Sequence, residues 1–392
     1  MTFNPADELA AYLPVRSLIP LIDDVREKVA SSKQLPGCIT LGIQIEKALR
    51  DTPLSILDIQ QSLTDPLASS LRRLAAEYPI IESSSAKIAD QFSVYREVLP
   101  HSDAELIKGH VIYDLYFRVS RFDPFPPGML VRQIGLTLSV AIDELRRCGL
   151  SIDQVGDLLA ASSLVVGTLG TSFNDADPST GLHETVQSPN DVPSSFGSPT
   201  EVAFHRWRSG HHVFALISLF CRYFLECGLS AATSEKFDEL CLHVDKATAT
   251  LRGTTAAMWY AADFPAEIYG QEVRPSMESE KTPQGFSGTQ NFDYERLKEA
   301  RDLLHVNLVN ILGERLKDWP EDLGESYLEF KEAELEDMEN HILIAAKMVG
   351  RGASIFSSKN REEELPPPEA AVDMLRRMAE EKFRQLRGLV AR

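Results

Sequence analysis

Residues 205–214, HRWRSGHHVF, gather three histidines, one tryptophan and two arginines into ten positions, in a chain with 9 histidines and 3 tryptophans overall. Imidazole nitrogens bind transition metals and exchange protons near neutral pH. Guanidinium forks match carboxylates. The crowding therefore marks candidate chemistry. Trp207, His211, Phe214, Ala215 and Ser218 fall at i, i+4, i+7, i+8 and i+11, one face of a helix running from about 207 to 226. Beyond His212 the sequence is apolar nearly all round, as in a helix buried within a bundle. His211 stands where that helix goes under.

A second stretch, KGHVIYDLYFRV, sets His110, Tyr113, Asp114 and Phe117 at i, i+3, i+4 and i+7, again a single face. Taken alone, a buried histidine usually does no more than satisfy a backbone carbonyl. Taken together, one aromatic-flanked histidine on each of two apolar helices is what a bundle needs to hold a flat cofactor. One imidazole would then ligate an iron and the other would face the open coordination position. Spacing by itself leaves both readings open.

The elements that must position these residues read as helices. Stretches 83–99, 105–122, 129–149 and 292–316 carry apolar residues at helical spacing, and no stretch sustains period-two alternation with hairpin turns. The expected fold class is all-α. Residues 173–200 and 274–290 are rich in Asp, Ser, Pro and Gly and read as loops, the first a flexible one. The expected organisation is a single domain over 1–356, a charged, proline-rich spacer at 357–369 and an amphipathic helix over 370–392.

Composition narrows the function classes. The chain has 392 residues, 43% hydrophobic and 25% charged, enough apolar surface for a sizeable core. Its formal net charge of −18 repels phosphate backbones and anionic lipid, so neither nucleic acid nor membrane is an expected partner. Five cysteines include no CxxC pair, and no histidine has a cysteine four residues on, so a disulfide framework and covalently attached haem are not expected. The N-terminus does not read as a signal peptide, and the longest apolar run, 213–221, is far short of a membrane span. A soluble cytoplasmic protein is expected. Walker, GxGxxG, HExxH and GxSxG motifs do not occur. His183, His243, His305 and His341 are scattered singly and read as structural or solvated.

HVIYDLYF (110–117) resembles the HxxYELWF signature of the haem-dependent tryptophan 2,3-dioxygenases, and WRSGH (207–211) resembles their WRxxH signature, in the same order. Further on, RGTTAAMWYAADFPAEIYGQEVRPSM (252–277) and GFSGTQNFDY (285–294) are similar to the related haem-dependent aromatic oxygenases, which include histidine-ligated tyrosine hydroxylases. The resemblance spans roughly residues 105–295. The dioxygenases' GTGGSSG substrate loop has only RGTT as its nearest match, with Gly253 and Thr254 recognisable, which favours the aromatic-oxygenase branch of the superfamily.

The resemblance implies a helical bundle enclosing a b-type haem, with His211 as the iron ligand and His110 as the catalytic histidine on the opposite side, where O2 or H2O2 is used. Trp207 and Arg208 fall to the cofactor, with Arg206 as a second partner for haem propionates. Tyr113, Phe117 and Thr254 fall to the substrate. Its carboxylate needs an arginine, for which Arg118, Arg121, Arg132 and Arg274 are candidates and Arg274 is preferred. His205 and His212 are alternative ligands. The implied function is oxygenation of an aromatic amino acid (tyrosine or tryptophan) or a derived secondary metabolite, by hydroxylation, dioxygenation or ring rearrangement, in a homodimer or homotetramer. The alternative is a non-catalytic helical protein that keeps the fold without haem and acts on a partner through its C-terminal helix.

Overall fold

The computed structural model describes residues 10–51, 64–78, 91–170, 197–277, 290–350 and 371–391. Its helices are α1 (Ile19–Val29), α2 (Leu35–Asp51), α3 (Asp65–Glu77), α4 (Gln91–Val98), α5 (Ala104–Phe117), α6 (Pro127–Glu144), α7 (Ile152–Gly167), α8 (Pro199–Thr233), α9 (Phe237–Ala261), α10 (Phe292–Leu312), α11 (Glu321–Met348) and α12 (Ala371–Ala391). The all-α expectation holds. Among the described residues the sheet is confined to two four-residue strands, β1 (Ala11–Pro14) and β2 (Val119–Phe122), paired in parallel with Ala11 opposite Val119.

The organising element is α8. Ser198 accepts from the Glu201 backbone N–H while the Glu201 side chain accepts from Ser198 N–H, and Pro199 opens the first turn, three signals that start a helix there. The expected loop over 173–200 thus ends two residues early; its residues 173–196 lie outside the described ones. By length and composition α8 could cross a membrane, but most of its apolar window is buried inside the protein. It is a core helix. α9 doubles back along it, α10 packs on α8, and α7 and α11 pack on α9.

α9 approaches α8 at Gly210 and α7 at Gly253 closely enough to exclude side chains. A Cβ on Gly210 would lie 2.4 Å from Ala261 Cβ, and one on Gly253 would lie 2.2 Å from Ala161 Cβ. Gly210 immediately precedes His211, so this contact fixes where the histidine enters the bundle.

One expected helix is divided. The stretch 105–122 holds its helix only to Phe117, because Arg118 takes a left-handed conformation (φ 55°) and Val119–Phe122 pair with β1. The start is well capped: the Asp103 carboxylate accepts from Glu105 and Leu106 N–H. Helical periodicity runs on through the break, since the partner strand lies more than a hundred residues away in sequence. Residues 266–276 form a short irregular helical stretch containing a single π turn, Tyr269–Val273, where part of a loop was expected.

The C-terminal helix docks on α11. Glu334 is buried at 4% exposure among Arg301 of α10, Lys331 and Lys382 of α12. Burial alone would raise the Glu334 carboxyl, but these three cations outweigh it and hold its pKa down to about 2, from an ordinary 4.5. A depressed folded-state value contributes stability that is complete above 4.5 and lost as pH falls towards 2. Glu334→Gln is expected to remove that acid dependence and, by leaving Arg301 buried without its counter-charge, to cost about 3–5 kcal/mol at neutral pH. Urea unfolding of both proteins at pH 7, 4 and 3 measures this; parallel pH profiles would overturn it.

Candidate functional site

His211 sits in the fourth turn of α8. Its Nδ1 lies 2.5 Å from the Trp207 carbonyl oxygen one turn back, so Nδ1 carries the hydrogen and donates it. That assignment leaves the lone pair on Nε2. Burial pulls the ring's pKa down to about 3, against the opposing pull of the Trp207 bond, so the imidazole is neutral at physiological pH. A neutral imidazole anchored through one nitrogen is what a metal-ligating histidine requires. Its orientation is set by Phe117, stacked at 4.0 Å and 17°, and by the edge of Trp207 at 4.3 Å, with the Tyr113 ring at 6.2 Å. Part of the residue's surface stays accessible.

The 266–276 stretch closes over this group. Tyr269 meets the Trp207 ring edge-on at 5.5 Å, and the Tyr116 hydroxyl lies 2.7 Å from Ser276 Oγ. Burial is the main reason both phenols resist ionisation, but guanidinium charge works the other way, from Arg274 on Tyr269 and from Arg208 on Tyr116; on His212 the Arg208 charge adds to burial in lowering the pKa. Arg208 follows Trp207 in α8, and Arg274 belongs to the same 266–276 stretch as Tyr269. The structure brings His211, Trp207, Phe117 and Tyr113 together.

His110 is fully buried on the same helix as Tyr113 and Phe117. Seven residues separate it from Phe117, roughly 10 Å along the axis at ~1.5 Å per residue. Its Nδ1 lies 2.8 Å from the Gln290 carbonyl oxygen. Glu295 Oε2 lies 2.7 Å from Nε2 but off the direction a hydrogen bond needs, so Nε2 is buried without a well-aimed partner. Tyr95 and Phe292 pack on the ring, each at 5.5 Å between centroids. Tyr113 bridges the two histidines: its ring is near His211, and its hydroxyl accepts from Asn291 Nδ2 at 3.0 Å, next to Gln290.

Beneath His110 lies a buried charge network. Arg121 of β2 makes paired bonds to Asp114 of α5 (2.9 and 3.0 Å) and to Asp293 of α10 (3.0 and 2.8 Å), and its guanidinium lies 5.3 Å from the Phe292 ring. The Tyr95 hydroxyl donates to Asp114. All three charged side chains are 2% exposed or less.

Several sequence expectations need correcting. Arg121 is fully engaged by two aspartates and has no fork left for a substrate carboxylate. Arg132 reaches the Ala75 carbonyl on α3, and Arg118 terminates α5. Arg206 is committed to protein partners, bonding Glu144, the Arg147 carbonyl and both the carbonyl and carboxylate of Asp263. His212 donates Nε2–H to the Phe117 carbonyl at 2.5 Å, tying α8 to the end of α5. Burial lowers the His205 pKa; that residue lies outside the aromatic ring set around His211. Thr254 is buried mid-helix in α9 with its hydroxyl bonded to the Leu251 carbonyl, and the adjacent Gly253 serves helix packing, so RGTT forms no substrate loop. GFSG (285–288) lies outside the described residues.

Sequence reasoning missed Glu295, Gln290, Asn291, Tyr116, Tyr269 and Ser276. A signal existed for some: Gln290 and Asn291 belong to GFSGTQNFDY, and Tyr269 and Ser276 to the stretch just before it. Glu295 carried none, since acidic residues in a first helical turn are ordinary.

The family model described as SfmD 3-methyl-L-tyrosine peroxygenase matches residues 55–318, which include both histidines and Glu295. A 3-methyl-L-tyrosine peroxygenase of Streptomyces lavendulae is 27% identical over 150 residues, 38% of this chain; the chain matches 38% of that relative's length. A solved structure, described as the crystal structure of reduced SfmD by soaking with sodium hydrosulfite, has a TM-score of 0.51 and 18% identity, covering 85% of this chain and 96% of the other. At that identity the likeness establishes the fold.

Replacing Arg121 with Met keeps the volume and leaves Asp114 and Asp293 facing each other without a counter-charge. A loss of about 3–5 kcal/mol is expected from breaking such a buried network. Urea denaturation of the Arg121→Met variant at pH 7 measures it, and a loss below about 1 kcal/mol would show the network to be dispensable.

Proposed function

The chain belongs to the SfmD 3-methyl-L-tyrosine peroxygenase family, and on that premise we propose that it is a haem-dependent oxygenase acting on an aromatic amino acid of the tyrosine type in cytoplasmic secondary metabolism. The observation that carries the proposal is His211: a neutral imidazole, anchored through Nδ1 and framed by Phe117 and Trp207, that keeps its Nε2 lone pair. A single-imidazole donor would fit an iron whose remaining ligands come mainly from a macrocycle rather than from the protein. Among the described residues no group of three or more His, Cys, Asp or Glu is arranged to hold a bare ion. Bound haem b supplies activation of the oxidant, for which hydrogen peroxide is the choice that the relative's description favours.

The chain's own residues have distinct tasks. His211 holds the cofactor, with the Trp207 carbonyl fixing its tautomer and Phe117 its ring plane. Trp207 and Phe117 keep water from the reacting centre. Arg208, beside Tyr116 and His212, pairs with a propionate, and Arg274, beside Tyr269, receives the substrate carboxylate. Tyr113 walls the substrate pocket. His110 holds the proton that the reaction gives or takes, through the Nε2 that lacks a well-aimed partner.

His211→Ala is expected to lose haem, read as loss of the Soret band after haem supplementation. A native spectrum in that variant, or colourless wild-type protein from haem-supplemented cells, overturns the assignment. His110→Ala is expected to retain haem and lose turnover by about 10²-fold, the lower end of what a positioned acid–base group contributes. The assay supplies peroxide with tyrosine, 3-methyl-L-tyrosine or tryptophan and reads a product one oxygen atom heavier by mass. Full activity per haem in a destabilised His110→Ala protein would reduce His110 to a packing role.

A further inference from the structure

Nδ1 of His110 is hydrogen-bonded to the Gln290 carbonyl (2.8 Å), and the Glu295 carboxylate lies at ion-pair distance from Nε2 (2.7 Å), off the hydrogen-bond direction. A neutral imidazole carries one N–H. With Nδ1–H directed at the carbonyl, a neutral ring would put the Nε2 lone pair against a carboxylate oxygen. One more proton removes that conflict. We infer that Glu295 keeps His110 doubly protonated and carries its proton to and from solvent, making Glu295 a positioning residue for the acid–base step. The inference rests on the acid–base role proposed for His110.

The other charged groups around the ring are engaged elsewhere. From α4 come Tyr95, whose hydroxyl donates to Asp114, and Arg96, which bonds the Ser102 carbonyl. α5 itself contributes Asp114 and Lys108, the latter paired with Glu105. β2 contributes Arg121, and α10 contributes Asp293, Glu295 and Arg296, the last paired with Glu299. The buried set of Arg121, Asp114 and Asp293 is internally paired, both carboxylates being bonded to the one guanidinium, which leaves Glu295 as the carboxylate at contact distance from the imidazole.

Access points the same way. His110 has no exposed side-chain surface, whereas the Glu295 side chain is 30% exposed. Asn291 caps α10, and Glu295 lies in its first turn, where the helix N-terminus favours negative charge. Asn291 and Gln290 also hold the Tyr113 hydroxyl and His110 Nδ1, so one turn of chain aligns the buried ring and its outlet. The proton count closes. His110 would give one proton from Nε2 to the substrate side, and Glu295 would take one from hydronium in solvent, leaving water, and pass it back to Nε2.

The test reads protonation first and turnover second. Full-length chain labelled with ¹⁵N-histidine gives ring-nitrogen shifts by long-range proton–nitrogen correlation, with His110→Asn identifying the His110 signals. Both His110 nitrogens are expected to be protonated at pH 7 in the wild type. In Glu295→Gln, Nε2 is expected to lose its proton while Nδ1–H stays on the Gln290 carbonyl, and Glu295→Asp is expected to restore part of the wild-type signal. The same shifts in wild type and Glu295→Gln overturn the inference. In haem-supplemented protein, Glu295→Gln is expected to keep the Soret band and lose kcat/KM by about 10²-fold with a displaced pH profile, which a purely structural role would leave in place. An unchanged profile also overturns it. Because the nitrogen shifts are read without turnover, failure of the haem assignment leaves them intact and is seen separately, as absence of the Soret band. Melting temperature identifies a variant that fails to fold, in which case the Glu295→Asp comparison decides.

Discussion

A guanidinium buried between two carboxylates is the constraint from which the site's geometry follows. Arg121 bonds Asp114 and Asp293 in paired fashion, and those three residues belong to β2, α5 and α10. Removing such ions from water is expensive, and the cost is recovered only where the geometry is good and the remaining donors are satisfied. Here four of the guanidinium's contacts are 3.0 Å or shorter. The network therefore specifies position more than it stabilises. It sets the face of α5 that carries His110, Tyr113 and Phe117 against the first turn of α10.

That alignment reaches His211 through packed rings. Phe117 lies at the end of α5, where Arg118 breaks the helix, and its carbonyl accepts from His212 while its ring stacks on His211. Two neighbouring histidines thus divide two tasks: His212 fastens the helices, and His211 keeps a nitrogen available. The close contact of Gly210 with Ala261 holds the same turn of α8 against α9. A shift along α8 would break the carbonyl bond, the ring stack and the glycine contact together.

The polar part of the site is divided by depth. Arg208 and Arg274 act on phenols whose ionisation burial already opposes. Arg121 and Arg206 are committed to structural partners on other sides. The irregular 266–276 stretch matters here, because its π turn re-aims side chains, and it brings Tyr269, Arg274 and Ser276 to one place.

Some of this was legible in the chain by itself. Helical periodicity determined the all-α class, and the spacing within 110–117 and 207–211 singled out His110, Phe117, Trp207 and His211, because residues one turn apart share a face wherever the helix lies. Sequence could not assign the arginines. Arg121, Arg206, Arg208 and Arg274 are chemically alike, and only the fold decides which meets a buried carboxylate and which meets the cluster. The end of α5 was equally hidden, since β2 exists only because β1 lies alongside it. Thr254 was assigned to the substrate through the RGTT resemblance, yet the packing of α7, α8 and α9 makes its segment helix interior. Glu295 was the least legible. A carboxylate in a first helical turn looks solvated in sequence, and it meets His110 only because the Arg121 network holds α5 and α10 at that distance.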